Sequence, residues 1–159
     1  MKDQYREKLN KNMMWFNRIM NNINKEEQNM QIQESGERWT AIQLLRHIAY
    51  SESSITKLID DIIAGKDEVQ ENYSLNDINT KAQDILKDKD MNSIQARMDK
   101  SRNATLELLE KISDDDWTKE GRYFTGDVVS VKQIFEILIW HQSHHGKQIT
   151  DKLDTSGWS

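Results

Sequence analysis

Apolar residues recur at steps of three and four along most of this chain, which is the spacing of amphipathic helices. Strand-like alternation is nearly absent, although residues 121–131 are compatible with a short extended piece that turns at Gly126. We therefore predict an all-α protein that folds as a four-helix bundle. The predicted helices cover roughly residues 3 to 24, the stretch from Thr40 to about Ile63, a third that begins after Ser93, and a last that begins after Ser130.

The second and the last predicted helices begin with the same pattern, Thr40-Ala-Ile-Gln43 and Ser130-Val-Lys-Gln133. The hydroxyl of such an N-cap residue accepts from the amide three positions on, while the glutamine side chain accepts from the cap amide in return. This capping box defines where each helix begins. It therefore also defines the direction in which every later side chain of that helix points.

A polar stretch of nearly thirty residues, Ala64 to Asn92, connects the second and third predicted helices. This connection is long enough to cross the bundle, so the two helices can run parallel to each other. Its segment SLNDINTKAQDIL predicts a short extra helix. We interpret the later acidic run from Asp114 to Asp116 as a solvated loop.

Composition narrows the class of protein. The 159 residues fit one domain of ordinary size, so we expect a single domain over residues 1–159. No apolar run approaches the roughly 20 residues of a membrane span, and none follows the charged N-terminus as in a secretory signal; we therefore expect a cytoplasmic protein.

The net charge of −5, with basic residues that form no stripe, argues against nucleic acid as a partner. Because cysteine is absent, any metal ion must be bound by nitrogen and oxygen.

Histidine is concentrated at two places in the chain. Of the four histidines, three lie within five positions in the segment WHQSHHGKQI. At about 100° per residue, His145 and His141 fall roughly 35° and 75° from the centre of the apolar face of the last helix, and His144 roughly 135°. His141 and His145 thus point inward one turn apart, a spacing that lets two imidazoles chelate one ion, while His144 is expected to face solvent. His47, at the flank of the second helix, can add a third imidazole.

An alternative is that these histidines are hydrogen-bonded core or boundary residues, which is the commoner role of a lone histidine such as His47. Pairs at i,i+4 also arise by chance. Three buried neutral imidazoles without partners would leave polar nitrogens unsatisfied at roughly 1 to 3 kcal/mol each, whereas one cation satisfies all three. The combination therefore favours a metal site.

Two segments, WTAIQLLRHIAYSE and HQSHHGKQI, resemble the W-[ST]-…-H-[IL] and HxxHHxxQ[IL] motifs of the DinB-like (YfiT-like) superfamily of metal-binding four-helix bundles. The resemblance extends over the length of the chain. It implies an up-down-down-up bundle, often dimeric, with a divalent ion held by His47, His141 and His145. It also implies that His144 and Gln148 accompany the motif without being ligands. Zinc or nickel is the foremost candidate for the ion, with iron or manganese as alternatives.

A site of three histidines leaves at least one position for water or substrate. The resemblance implies a small-molecule substrate and, as the foremost hypothesis, S-transferase-type chemistry with a low-molecular-weight thiol. A metal-dependent hydrolase is the alternative, and there Glu52 is the candidate catalytic base, although a salt-bridged flank residue is its commoner role. A third hypothesis is a non-catalytic, stress-associated binding or dimerisation module. Five tryptophans and seven methionines exceed what one small bundle needs to bury, so we also expect a homodimer.

Overall fold

The computed structural model describes residues 1–66 and 74–159, so part of the predicted connection, residues 67–73, lies outside the described residues. Four long helices build the bundle, which confirms the predicted all-α class. Within the described ranges, no helix combines the length and the apolar character needed to cross a bilayer. In chain order the elements are α1 (Lys2–Asn22), α2 (Lys25–Gln28), α3 (Ala41–Ile63), α4 (Leu75–Leu86), α5 (Met91–Lys111), a 3-10 turn (Asp116–Thr118), β1 (Glu120–Arg122), β2 (Val128–Ser130) and α6 (Val131–Lys152).

The two predicted capping boxes are present at the starts of α3 and α6. The Gln43 side chain accepts from the Thr40 amide at 2.9 Å, and the Gln133 side chain accepts from the Ser130 amide at 2.8 Å. The predicted start of the third long helix was wrong, because α5 begins at Met91. Asp90 is its N-cap and accepts from the Ser93 amide at 2.8 Å, so Ser93 already lies in the first turn.

Contacts between side chains give the helix directions. The Arg97 guanidinium lies over the Tyr50 ring, and Thr105 bonds Thr56 further along both helices, so α3 and α5 run parallel. By the same criterion α1 and α6 are parallel and α1 and α5 antiparallel, as shown by the pairs Tyr5–Glu136, Ser143–Asn12, Gln95–Asn17 and Arg6–Glu110. The arrangement is therefore up-down-down-up, as expected from the long connection.

Helix α4 lies in the connection that the parallel pair requires, and it confirms the short helix predicted there. Ser74 caps it, and its apolar face is buried. The Gln83 amide donates to the Gln43 carbonyl at 2.9 Å, and Arg46 donates to the Lys87 carbonyl at 2.9 Å. These two bonds hold α4 against the first half of α3.

Buried apolar side chains form two clusters, one toward each end of the bundle. One contains residues 41–49 of α3 and Ile149 of α6, and the other contains residues 55–62 of α3 and residues 131–138 of α6. The level between them is occupied by buried polar residues, which we call the polar layer: Asn12, Ser51, Glu52, Ser101, Arg102, Thr105 and Gln142. The histidines of α3 and α6 lie at or next to this level.

In the segment before α6, one sequence prediction is confirmed and another is wrong. Gly126 turns the hairpin with a φ of +93°, as expected. The prediction of a solvated acidic loop was wrong for Asp116, which is 8% exposed. Its carboxylate accepts from the Ser113 amide at 2.9 Å and pairs with Lys119 at 2.8 Å, so Asp116 stabilises the 3-10 turn.

Candidate metal centre

The structure brings together the three histidines that the helical angles selected. His47 comes from α3, and His141 and His145 come from successive turns of α6. Nε2 of His47 lies 2.7 Å from Nε2 of His141, and one nitrogen from each of the three rings lies within 4.8 Å of the other two. His47 and His145 are 6% and 8% exposed, and His141 is partly buried. The cluster is therefore compact and largely shielded from water.

The remaining ring nitrogens indicate how the imidazoles are oriented. Nδ1 of His145 lies 2.7 Å from Oε1 of Gln148, an acceptor, so this ring donates from Nδ1 and presents Nε2 as a lone pair. Nδ1 of His47 and Nδ1 of His141 are buried without a hydrogen-bond partner. A ring that carries its proton on Nδ1 leaves Nε2 free to bind a cation, and the two closest atoms of the cluster are both Nε2.

Asn79 on α4 lies beside His47. The contact between the two side chains raises the pKa of His47 through a hydrogen-bonding interaction. Its geometry falls short of a complete hydrogen bond, because Oδ1 of Asn79 and Nδ1 of His47 are both buried without a partner. Sequence reasoning missed Asn79, since a lone asparagine in a polar segment carries no metal-site signal.

Burial keeps all three imidazoles neutral. It lowers the pKa of His47 from 6.5 to about 3, with the nearby His145 adding to the effect. Burial also lowers the pKa of His141 well below 6.5, and the other histidines contribute. The pKa of His145 is lowered by burial too, against the opposing effect of the Gln148 bond. Metal ligation requires neutral imidazole, so burial favours the protonation state that ligation needs.

His144 lies outside the cluster and is exposed, as its helical angle predicted. Its ring stacks on Trp140 with centroids 4.8 Å apart and planes 10° apart. Trp140 is itself 62% exposed. The Trp39 ring, which is buried, packs against His47 with a centroid distance of 4.8 Å. Aromatic rings therefore flank the site on its buried side and on its solvent side.

Glu52, the candidate catalytic base, belongs to the polar layer and is 3% exposed. Its carboxylate accepts from Arg102 Nε at 2.8 Å, from Thr105 Oγ1 at 2.8 Å and from Gln142 Nε2 at 2.7 Å. Arg102 in turn donates to Gln142 Oε1 at 2.6 Å and to the Leu9 carbonyl. These contacts occupy both carboxylate oxygens. The role of Glu52 as a base stays a prediction that this network does not favour.

The donor set fits a divalent cation. Three neutral imidazole nitrogens converge, as zinc and the neighbouring transition metals prefer, and three protein ligands leave a coordination position open. Nδ1 of His47 and Nδ1 of His141 lack hydrogen-bond partners. In metal sites, the ring nitrogen that does not bind the ion usually donates a hydrogen bond to an acceptor outside the ligand set. Among the described residues, the clustered group contains no carboxylate.

Comparison with known proteins agrees with this architecture. The family model of the DinB superfamily matches residues 12–149. YfiT from Bacillus subtilis, described as a probable metal-dependent hydrolase with an unusual four-helix bundle topology, is 17% identical, with 99% of this chain and 89% of that one covered and a TM-score of 0.79. The mycothiol-dependent maleylpyruvate isomerase, unmutated and as a mutant, is 13% identical, with 94% of this chain covered and a TM-score of 0.77.

This chain spans 60% of the length of that isomerase. At these levels of identity the two structural likenesses establish the fold alone. No curated protein matches the chain.

Proposed function

The chain belongs to the DinB superfamily, and we propose that it is a divalent-metal-dependent enzyme that uses a low-molecular-weight thiol in S-transferase-type chemistry on a small-molecule substrate. The observation that carries this proposal is the convergence of three imidazoles, two buried and one partly buried, whose ligand nitrogens all lie within 4.8 Å of one another. Burying such a group without a cation leaves polar nitrogens unsatisfied, which proteins generally avoid.

In this proposal His47, His141 and His145 are the ligands, and the ion is zinc or nickel, with iron or manganese as alternatives. Such an ion supplies a positive charge that lowers the pKa of a coordinated thiol or water. Gln148 and Asn79 act as outer acceptors that hold the rings of His145 and His47 in the ligating orientation. Trp39 restricts the rotation of the His47 ring from the buried side.

The state of Glu52 supports the thiol reaction over hydrolysis. A thiol whose proton is lost on coordination is nucleophilic without a protein base. A water nucleophile generally requires a carboxylate to take its proton, and both oxygens of Glu52 accept bonds within the polar layer. The metal-dependent hydrolase remains the alternative, supported by the likeness to YfiT. A non-catalytic binding module is the third hypothesis.

A paired experiment tests the proposal. Cobalt-substituted protein is titrated with a panel of small thiols, and a new sulfur-to-metal charge-transfer band is expected. Wild type and Glu52→Gln are then assayed for thiol conjugation and for ester cleavage at equal concentrations of folded, metal-loaded protein, with equal conjugation rates expected. An ester-cleavage activity that falls roughly 100-fold or more in Glu52→Gln would favour the hydrolase. Absence of the band and of both activities would favour the non-catalytic module.

The remaining expectations stay predictions within this proposal: one domain over residues 1–159, a cytoplasmic location, no nucleic-acid partner, and a homodimer. Exposed apolar side chains support the dimer, since Met14, Val128 and Trp140 are 73%, 59% and 62% exposed. Light scattering at micromolar concentration should give twice the mass of the chain. The mass of a single chain would contradict the dimer.

A further inference from the structure

A cavity of about 340 Å³ lies on the outer side of α3, and none of the three clustered histidines lines it. Two helices of the bundle and the hairpin turn border it. The residues that matter for its chemistry are Tyr50, Ser53, Ser54 and Lys57 from α3, Arg97 from α5 and Phe124 from the hairpin turn. The cavity has the size of a small organic molecule.

Arg97 is the unusual group in this cavity. Its guanidinium carbon lies 5.1 Å from the centre of the Tyr50 ring, and its Nε is buried without a hydrogen-bond partner. In the part of the chain that the structure describes, no carboxylate lies within ion-pair distance of Arg97. A guanidinium carries five donors and binds carboxylates in a fork geometry. An unpaired one at a cavity wall therefore predicts an anionic ligand.

Arg102, five positions later on the same helix, is the internal comparison. Its guanidinium donates to Glu52, Gln142 and the Leu9 carbonyl, so the protein itself satisfies it. Lys57, the other cation of the cavity, pairs with Asp61 at 2.7 Å. Among the described residues, Arg97 is thus the cation of this cavity that has no carboxylate partner.

The other walls define the rest of the ligand. The rings of Tyr50 and Phe124 and the side chain of Leu58 present apolar surface. The Ser53 hydroxyl donates to the Tyr50 carbonyl at 2.8 Å and keeps its lone pairs free, and Ser54 adds a second hydroxyl. These groups suit a molecule with an apolar, ring-sized body and one acidic end.

We propose that this cavity binds a small organic acid with an aromatic or similarly apolar body, with Arg97 as the partner of its carboxylate and Tyr50 and Phe124 as its apolar walls. Tyr50 follows His47 by three positions on α3, so the cavity and the candidate metal centre border neighbouring turns of the same helix. An acid bound here is placed to be the electrophilic substrate of that centre. This last assignment rests on the proposed function, whereas binding of the acid does not.

The test measures binding of phenylacetate and of its neutral analogue phenylacetamide to metal-free protein by calorimetry. Wild type is expected to prefer the acid by about tenfold or more, since hydrogen bonds between two charged groups are stronger than those to a neutral amide. Arg97→Met keeps most of the apolar stem and should lose that preference. Arg18→Met is the matched control, because Arg18 also lies over an aromatic ring, that of Trp158, in another part of the molecule. The control should keep the preference.

Equal binding of acid and amide by wild type, or no detectable binding of either at millimolar concentration, would overturn the proposal. An unchanged preference in folded Arg97→Met would do the same. If that variant does not fold, the Nε–H resonance of Arg97 in wild-type protein decides: it should shift with phenylacetate and not with phenylacetamide. Because metal-free protein is used, failure of the metal centre leaves this result intact. A wild type that binds metal but not phenylacetate would reject the cavity alone.

Discussion

Two buried polar groups lie next to each other between α3 and α6, and they differ in how their hydrogen-bonding atoms are satisfied. In the polar layer, Glu52 accepts from Arg102, Thr105 and Gln142, so charge and lone pairs are matched within the protein. In the histidine cluster, neutral rings crowd together and the Nδ1 atoms of His47 and His141 lack partners. The polar layer is complete within the protein, whereas the cluster leaves two buried ring nitrogens without a partner among the described residues.

The largest effect should follow from removing a ring of the cluster. We expect purified wild type to carry about one divalent ion per chain, and His141→Ala, like His47→Ala or His145→Ala, to carry almost none, because two imidazoles hold an ion far less tightly than three. Metal analysis after gel filtration measures this. His144→Ala is the control and should keep the ion. Full metal retention in His141→Ala would show that the cluster is not the site.

The next effect concerns the polar layer. Arg102→Met leaves the buried Glu52 charge uncompensated and should lower the free energy of unfolding by roughly 3 to 5 kcal/mol. The double variant Glu52→Leu/Arg102→Met removes both charges and should cost clearly less. Urea unfolding measures both. Arg6→Met, which breaks a more exposed pair with Glu110, is the control and should cost much less, because water screens exposed ion pairs. A similarly small cost for Arg102→Met would end the contrast between the two groups.

A smaller effect should come from the outer shell of the cluster. Asn79→Ala is expected to weaken metal affinity about 10- to 100-fold, because it removes the side chain that interacts with the His47 ring from outside the cluster. Competition with a metal chelator of known affinity measures the change. Asn76→Ala, at an exposed position of the same helix, should leave the affinity unchanged. Equal affinities for the two variants would remove Asn79 from the site.

The smallest effect is the dependence of metal-free stability on pH. The pKa of His141 is lowered in the folded protein, so below about pH 6.5 the unfolded chain binds a proton that the folded chain does not. The contribution of His141 to the free energy of unfolding is therefore fully present above the pKa of the unfolded chain. It is lost as the pH falls toward the pKa of the folded protein, by about 1.4 kcal/mol per pH unit for each such histidine. Urea unfolding from about pH 7.5 to 5.5 should show a shallower decline for His141→Gln than for wild type. His144→Gln should match wild type.

The fold was largely predictable because its signals are local. Apolar spacing located the four long helices, and Thr40 and Ser130 identified two helix starts through capping boxes that span only four residues. The start of α5 was misplaced because Asp90 and Ser93 are both good caps, and only the folded geometry selects Asp90. The burial of Asp116 was missed for a related reason. Only the folded structure shows that the Ser113 amide and Lys119 contact its carboxylate.

The site was predictable only in its innermost part. Helical angles oriented His141 and His145 inward because both lie on one helix. The partners of Glu52 were not predictable, since Arg102 lies fifty positions away and no local pattern connects the two. Asn79 reaches the cluster only because α4 crosses α3, which depends on tertiary packing of the connection.

The ring pair His47 and His141 is separated by 94 positions along the chain. A cation held between these rings would act as a cross-link that closes a loop of that length. In the chain-entropy model, a cross-link over a loop this long restricts the unfolded chain by roughly 4 to 5 kcal/mol. The loop runs from α3 through the crossover and α5 to α6, so it includes most of the second half of the bundle. A chelator would then act on this protein as reduction acts on a disulfide-bonded one, by releasing the chain entropy of the whole loop.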